Sequence, residues 1–189
     1  VILSNTLGNT ISPTVVTISN NEGEFDYNVA NYGVETIVAK SVLDDKVLDT
    51  AKFRVINGTF TDLQALIDDA DDELNLTIDF YYDPNVDSAL KNGVVINKSI
   101  TINGNGHTID GKNLARIFDI TADNVIIKNL TLINGNVTND NGGAINWIGA
   151  YGKITDSTLK NNGAYGNTAL GGAIFVNGAN FEVDKCTFI

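Results

Sequence analysis

The tetrapeptide Gly142-Gly143-Ala144-Ile145 recurs 29 residues later as Gly171-Gly172-Ala173-Ile174. The same offset aligns five further pairs of like residues without a gap: Trp147 with Val176, Gly149 with Gly178, Ile154 with Val183, Thr158 with Thr187, and Leu159 with Phe188. Short segments that alternate apolar and polar residues, separated by Gly and Asn, make up this repeat. Such a period is typical of a solenoid, in which each coil buries its apolar face only against neighbouring coils.

Earlier copies of the repeat extend the pattern towards the amino terminus. An offset of 27 supplies Phe118 for Ile145, Ile120 for Trp147, Ala122 for Gly149, Ile127 for Ile154, Thr131 for Thr158, and Leu132 for Leu159. A weaker copy matches residues 100–102 to residues 130–132 at an offset of 30. We therefore predict about four coils of a parallel β-helix, with Leu132, Leu159 and Phe188 in one inward column.

Small and polar residues also recur in columns. Ser157 aligns with Cys186, so the only cysteine is predicted to be a small core residue and not a reactive thiol. The column Asn129, Asp156 and Lys185 falls between two inward positions, which predicts a turn where side chains bond to the backbone.

A short amphipathic helix is predicted before the first coil. Thr61-Asp62-Leu63-Gln64 has the form of a capping box, and Leu63, Leu66, Ile67 and Ala70 follow at helical spacing. The acidic run at residues 68–73 lacks the alternation and Gly of a calcium loop, so we interpret it as a solvated face. No metal site and no cofactor are predicted.

The segment before residue 57 has a different pattern. Four stretches alternate apolar with polar residues and are bounded by turn residues: 14–18, 24–29, 35–39 and 51–55. An immunoglobulin-like sandwich needs about seven strands. The sequence therefore predicts two domains: a partial immunoglobulin-like β-sandwich over residues 1–56, and a capped, truncated β-helix over residues 57–189.

Residues 57–189 resemble a known family through the helix Phe60–Ile67, the segment Ser99–Gly111 and the two Gly-Gly-Ala-Ile copies. The chain is similar to the adhesin-like proteins of methanogenic archaea. These join immunoglobulin-like modules to pectate-lyase-like β-helices, whose repeats resemble the polymorphic outer-membrane proteins of chlamydiae. The resemblance implies an all-β fold with a right-handed parallel β-helix, a leading helix that caps its bore, and an extracellular or cell-surface location.

Charge excludes some partners. The chain carries 12 Lys and Arg against 23 Asp and Glu, a net charge of −11, which repels nucleic-acid phosphates. No apolar stretch approaches the roughly 18 residues of a transmembrane helix, so an integral membrane segment is not expected.

An enzyme of the pectate-lyase-like class, either a polysaccharide lyase or a glycoside hydrolase, is the main alternative. A glycosidase needs two carboxylates about 5 to 9.5 Å apart. No aligned column contains two carboxylates, and the one diagonal pair is Asp156 and Asp184. Arg116 aligns with glycines where no acidic partner accumulates, and His107 lies in a turn-forming segment, so no catalytic residue is predicted.

The composition favours a binding protein over an enzyme, with a structural cell-wall spacer as a further alternative. The predicted partners are cell-surface glycans or proteins. The residues predicted to contact them are Asn146, Trp147, Tyr151, Tyr165 and Asn167. The column partners of Trp147, Ile120 and Val176, leave open that Trp147 belongs to the core instead. We also expect concentration-dependent end-to-end self-association of this fragment, because its last residues repeat an inward strand.

Overall fold

The computed structural model describes residues 1–20 and 22–189. The chain divides into two compact units, Val1–Asn57 and Gly58–Ile189. Strands dominate both units, and the described residues contain one α-helix and one short 3₁₀ turn at Ser88–Leu90.

The first unit contains antiparallel strands. They are β1 (Ile2–Asn5), β2 (Thr10–Ser12), β3 (Asp26–Asn28), β4 (Gly33–Lys40) and β5 (Val47–Val55). One sheet has the order β1-β4-β5, and β2 pairs with β3. A small apolar cluster of Leu3, Ile11, Val16 and Ile37 lies within the unit.

The strand predictions for this unit were only partly right. The segment at 24–29 contains β3, and the segments at 35–39 and 51–55 lie within β4 and β5, but β1 and β2 were not predicted. The predicted strand at 14–18 is wrong, since the segment forms only an isolated bridge between Val15 and Ile2. Pro13, immediately before it, has no N–H to donate to a ladder. An immunoglobulin-like arrangement is not shown by these two small sheets.

A buried carboxylate organises the same unit. Glu35 is fully buried and accepts hydrogen bonds from the Tyr27 hydroxyl at 2.6 Å and the Thr6 backbone N–H at 2.9 Å. The Leu7 N–H and the Asn9 amide also donate to it, at 3.1 and 3.3 Å. Burial raises the pKa of Glu35, but the hydrogen bonds from Tyr27, Thr6 and Leu7 outweigh burial and lower it to about 2.

The second unit begins with a capping helix, α1 (Phe60–Asp69), whose Phe60, Leu63 and Ile67 side chains are buried. The apolar stripe is as predicted, but the capping box lies two residues earlier. The Thr59 hydroxyl accepts from the Asp62 N–H, and the Asp62 carboxylate accepts from the Thr59 N–H. The predicted box from Thr61 to Gln64 is therefore wrong.

The two residues of that predicted box have other partners. The Thr61 hydroxyl donates to the buried carboxylate of Asp87 at 2.7 Å. The Gln64 amide instead reaches the backbone of Val95, accepting from its N–H at 2.7 Å and donating to its carbonyl at 3.1 Å. At the other end of α1, the Lys98 ammonium group donates to the carbonyls of Asp68 and Ala70, as expected for a cation at a helix carboxyl terminus.

Short strands then wind into a parallel β-solenoid of about four coils. They are β6 (Glu73–Asn75), β7 (Phe80–Tyr81), β8 (Val94–Ile96), β9 (Thr101–Asn103), β10 (Thr108–Asp110), β11 (Phe118–Ile120), β12 (Ile126–Lys128), β13 (Thr131–Ile133), β14 (Asn136–Thr138), β15 (Ile145–Trp147), β16 (Lys153–Thr155), β17 (Thr158–Lys160), β18 (Gly163–Tyr165), β19 (Ile174–Val176), β20 (Glu182–Asp184) and β21 (Thr187–Phe188).

These strands stack into three parallel sheets. Sheet 1 has the order β20-β16-β12-β9-β6, sheet 2 has β21-β17-β13-β10-β7, and sheet 3 has β19-β15-β11-β8. A further pair, β14 with β18, lies between sheets 2 and 3 along the chain. Each of four coils thus contributes one strand to each sheet, and β20 and β21 add a fifth strand to sheets 1 and 2.

The observed registers confirm the repeat offsets of 27 and 29. Leu132 pairs with Leu159, and Leu159 pairs with Phe188, in one column. Trp147 pairs with Ile120 and with Val176. Because paired residues on parallel strands point to the same side of a sheet, each apolar column continues through the bore.

The weaker copy at an offset of 30 is wrong. Ile102 pairs with Ile127 in sheet 1, and Thr131 pairs with Thr108 in sheet 2. Both Thr101-Ile102 and Thr108-Ile109 read as a polar residue followed by an inward one, so the pattern alone did not separate them. The turn between these two strands is longer than in the next coil, because Ile102 and Ile109 are seven residues apart whereas Ile127 and Leu132 are five apart.

The corners agree with the predicted small-residue and turn columns. Asn129, Asp156 and Lys185 all have positive φ, at 52°, 49° and 49°. At another corner, a Cβ on Gly178 would lie only 1.9 Å from the Gly149 carbonyl oxygen, so these two stacked positions require glycine.

Ser157 and Cys186 are equivalent in the stack, as predicted. The Ser157 hydroxyl donates to the carbonyl of Thr155, two residues earlier, at 2.8 Å. The Cys186 thiol makes the same contact with the carbonyl of Asp184 at 3.2 Å. The thiol is half-buried within the solenoid repeat.

Candidate binding groove

A groove of about 410 Å³ lies at the corner where sheet 2 passes into sheet 3. Its lining consists of Lys91, Asn92, Asn113, Leu114, Asn136, Val137, Thr138 and Asp140. These residues precede β8, precede β11, form β14 and precede β15, respectively, so three successive coils contribute to the groove. The groove therefore runs along the stack, in the direction in which the coils repeat.

Arg116 lies beneath this corner and is 2% exposed. Its guanidinium donates to the carbonyls of Asn92, Gly142 and Asn141 at 2.9, 3.1 and 2.8 Å, and to the Asp140 carboxylate at 2.5 Å. The aligned column of Arg116 contains no acidic residue, but the fold supplies one in Asp140. The partner lies 24 residues away in a loop that does not belong to the repeated columns.

Asp140 is held ionised by this contact. Burial raises the pKa of Asp140, but the hydrogen bond and charge of Arg116 and the N–H of Asn141 lower it overall. The carboxylate remains half-exposed, at 52% of its side chain. Arg116 consequently holds the three carbonyls and the carboxylate in place at the base of the groove. Its guanidinium N–H groups donate to these protein groups and not to a ligand.

The remaining lining combines hydrogen-bonding and apolar groups. Asn92, Asn113 and Asn136 carry side-chain amides, each with donors and acceptors. Leu114 is 48% exposed although it is large and apolar. Amides beside an exposed apolar side chain are suited to a ligand that is rich in hydroxyl groups and has apolar C–H faces.

Tyr165 continues this lining in the following coil. It pairs with Thr138 through β14 and β18, and both residues are exposed. Its ring lies across Gly163, where a Cβ would be only 2.6 Å from ring atom Cε2. Gly163 in turn pairs with Asn136. The glycine leaves room for an exposed aromatic ring in the row beyond Asn136.

The predicted contact residues do not all lie at this corner. Tyr165 and Asn167 belong to the connection between sheets 2 and 3, whereas Tyr151 lies in the turn from sheet 3 to sheet 1. Tyr151 and Tyr165 are equally exposed, at 60%. Asn146 lies on the outer side of sheet 3, where its amide donates to Asp119 at 2.7 Å.

Trp147 belongs to the core and not to the contact surface, the alternative that its column partners had left open. Its side chain is fully buried and packs edge-on against Phe181, with ring centroids 4.7 Å apart. Gly152 lies against the indole, because a Cβ there would be 2.4 Å from Nε1. A ligand on the protein surface cannot contact a side chain placed in this way.

Sequence reasoning missed most of the groove. Asn113 and Leu114 come from a corner segment that differs in length between coils, and the residue that pairs with Asn136 is Gly163, which has no side chain. The signal that was available is the longer separation between sheets 2 and 3 in the later coils, with β14 and β18 inserted there. Long connections on a rigid solenoid are where binding residues are usually found.

The diagonal carboxylate pair was the strongest enzymatic candidate. The Thr155 hydroxyl lies 2.8 Å from Asp156 Oδ2 and 3.5 Å from Asp184 Oδ2, so one hydroxyl approaches both carboxylates. Lys153 forms an ion pair with Glu182 on the same sheet, at 2.8 Å. These charges lie on the exposed side of sheet 1 and at its turn, and not in the groove.

His107 occupies a structural position at the first coil. Its Nδ1 lies 3.0 Å from Asp79 Oδ1, which also accepts from the Thr108 N–H at 2.9 Å. The Thr108 hydrogen bond lowers the pKa of Asp79, against the effect of burial, with a further contribution from His107. This contact joins two successive coils.

Residues 1–20 and 22–189 contain no group of three or more His, Cys, Asp or Glu side chains arranged to hold a metal ion. None of their helices has the length and apolar character required to cross a bilayer.

Comparisons with protein-family models, curated proteins and solved structures found no match to this chain.

Proposed function

We propose that this chain is part of an adhesin-like, extracellular or surface-displayed repeat protein whose solenoid binds glycans at the corner groove. The observation that carries the proposal is the groove itself: three coils contribute amides, a hydroxyl and an exposed Leu114 to one continuous lining. Sugars present hydroxyl groups that pair with amides and C–H faces that pack on apolar side chains. The proposal includes a right-handed coil, the usual hand of parallel crossovers, and an immunoglobulin-like origin for Val1–Asn57.

The test uses glycan binding by the full chain and a matched pair of variants. Asn113 lies in the groove with φ of 57°, and Asn180 lies at another corner with the same φ. Replacing either residue by glycine removes an amide without backbone strain, because glycine accepts positive φ. We expect Asn113→Gly to weaken binding measured by calorimetry or on a glycan array, and Asn180→Gly to leave it unchanged.

A polysaccharide lyase or hydrolase is the second candidate, favoured by the approach of Thr155 to both Asp156 and Asp184. Incubation of the chain with neutral and acidic polysaccharides, with and without calcium, tests for it. Release of reducing or unsaturated ends that is lost in Asp156→Ala or Asp184→Ala would replace the binding proposal by an enzymatic one. A chain that neither binds nor cleaves any glycan would instead favour the structural spacer.

A further inference from the structure

We infer that the groove selects uncharged glycan chains over uronate-containing ones, with Tyr165 as an additional stacking surface one coil beyond the groove. This inference rests on the proposed glycan binding and specifies its ligand class. It follows from three properties of the corner: the charges of its lining, the spacing of the coils that form it, and the exposed ring of Tyr165.

The charges in the lining do not favour an acidic ligand. The strongest carboxylate-binding group nearby, the Arg116 guanidinium, is buried and already donates to three carbonyls and to Asp140. Asp140 itself presents a half-exposed carboxylate to the groove. Arg116 already offsets this carboxylate, so Lys91 is the one group in the lining that would attract a uronate, while Asp140 would repel it at short range.

The net charge of the chain acts in the same direction. At −11, it repels an anionic polymer at long range and slows its association. The amides of Asn92, Asn113 and Asn136 carry no charge and bind hydroxyl groups without this penalty. Neutral hydroxyl-rich chains are therefore the ligand class that matches the lining.

The repeat of the lining suits an extended polymer. Successive coils are separated by roughly 4.8 Å, the spacing of paired strands, so equivalent groups recur along the groove at about the length of one sugar residue. Asn136 and Tyr165 belong to consecutive coils through the pairing of β14 with β18. A chain lying along the stack would pass from the amides onto the Tyr165 ring.

The Tyr165 ring also discriminates by charge. It is 60% exposed and lies across Gly163, so much of the ring is open to solvent. The face of an aromatic ring carries negative partial charge, which attracts sugar C–H groups and repels carboxylates. Tyr165 thereby favours the same ligands as the amide lining.

The experiment compares polygalacturonate with the same polymer after chemical reduction of its carboxyl groups. The two ligands share backbone and linkage and differ only at C6, which carries a carboxylate in one and a hydroxymethyl group in the other. A neutral β-glucan and a mannan complete the panel, and binding of the full chain is measured by affinity electrophoresis and calorimetry at two salt concentrations. We expect binding of the reduced polymer or another neutral chain that is insensitive to salt, and binding of polygalacturonate that is roughly tenfold weaker or worse.

Two exposed-residue variants locate the effect. Tyr165→Asn is expected to weaken neutral-glycan binding roughly threefold to tenfold. Tyr151→Asn, at an equally exposed tyrosine on another corner, should leave it unchanged. Polygalacturonate binding as tight as that of the reduced polymer would overturn the charge selectivity while glycan binding stood. Failure of every glycan to bind would overturn the proposed function itself.

Discussion

The two units of this chain keep their strands together by different means. In Gly58–Ile189, apolar side chains stand in columns, and Ile102, Ile127 and Ile154 are each completely buried. In the described part of Val1–Asn57, no apolar residue is less than 6% exposed, whereas the carboxylate of Glu35 is fully buried among hydrogen-bond donors. The solenoid depends mainly on apolar contact area, and the first unit depends much more on one polar network.

The difference follows from how each pattern can be extended. A coil that repeats every 23 to 29 residues adds the same inward positions each time, so its core grows with every coil. Five short strands in two small sheets have little apolar area to share. Removing a buried apolar side chain should therefore destabilise mainly the solenoid. Disrupting the hydrogen bonds of Glu35 should destabilise mainly the first unit.

The largest effect is expected for Leu132→Ala. Leu132 is fully buried in the inward column of sheet 2, between Ile109 and Leu159. Its truncation leaves a cavity and should destabilise the solenoid by about 2–5 kcal/mol. Trp147 is the only tryptophan and lies in the same core, so its fluorescence during denaturation reports this unit alone.

Phe188→Ala provides the comparison within the same column. Phe188 is 52% exposed, so it should lose much less stability than Leu132→Ala. Equal losses for the two variants would show that stability does not follow burial along the column.

These columns were the part of the fold that the sequence predicted well. An inward residue in one coil packs against a similar residue in the next coil. Like residues therefore recur in the sequence at a constant offset. The second coil was aligned wrongly because Thr101-Ile102 and Thr108-Ile109 fit the same pattern equally. The groove could not be predicted in this way, because Arg116 donates to Asp140, and Asp140 lies in an irregular corner with no repeated column.

A somewhat smaller loss of stability is expected for Arg116→Met. This variant tests a buried charged residue inside the mainly apolar solenoid. The substitution leaves the carbonyls of Asn92, Asn141 and Gly142 without their side-chain donor. We expect a loss of about 2–3 kcal/mol by Trp147-detected denaturation, together with weaker glycan binding because the base of the groove is loosened.

Lys112→Met is the matched control for this change. Lys112 is exposed, and its ammonium group forms a surface ion pair with Asp110, which contributes little to stability. If Arg116→Met proves as mild as Lys112→Met, the guanidinium network does not organise the corner.

Acid should affect the first unit selectively. Glu35 has a pKa of about 2 in the folded chain and an ordinary value of 4.5 when unfolded. A lowered folded pKa contributes stability that is fully present above pH 4.5 and is lost as the pH falls towards 2. We expect this unit, followed by the near-ultraviolet circular dichroism of Tyr27 and its neighbours, to lose structure in that window.

Glu35→Gln sharpens the acid experiment. The amide cannot accept all the hydrogen bonds that the carboxylate accepts from Tyr27, Thr6 and Leu7. The variant should be less stable at neutral pH and should lose the pH dependence between 4.5 and 2. A wild-type first unit that is equally stable at both ends of this window would contradict the role assigned to Glu35.

The smallest effect on stability, but an informative one, is expected at the edge of sheet 3. Strand β8 is the first strand of that sheet, and an uncovered edge strand offers N–H and C=O groups to another chain. Gln64 of α1 covers one position of this edge, since its amide accepts from the Val95 N–H and donates to the Val95 carbonyl, as a neighbouring strand would. The helix thus protects the sheet through a polar contact and not only by covering the bore.

Gln64→Ala should cost about 0.5–1.5 kcal/mol, the net value of ordinary hydrogen bonds, yet it should increase self-association because β8 becomes available for strand addition. Gln64→Glu keeps the contact with the Val95 N–H but loses both donations of the amide, to the Val95 carbonyl and to Asp68 Oδ1, since a carboxylate accepts and cannot donate. We expect its association to lie between those of Gln64→Ala and wild type in sedimentation velocity. Identical sedimentation of all three chains across a wide concentration range would show that α1 blocks this edge by bulk alone, and that Gln64 contributes nothing specific to the end of the solenoid.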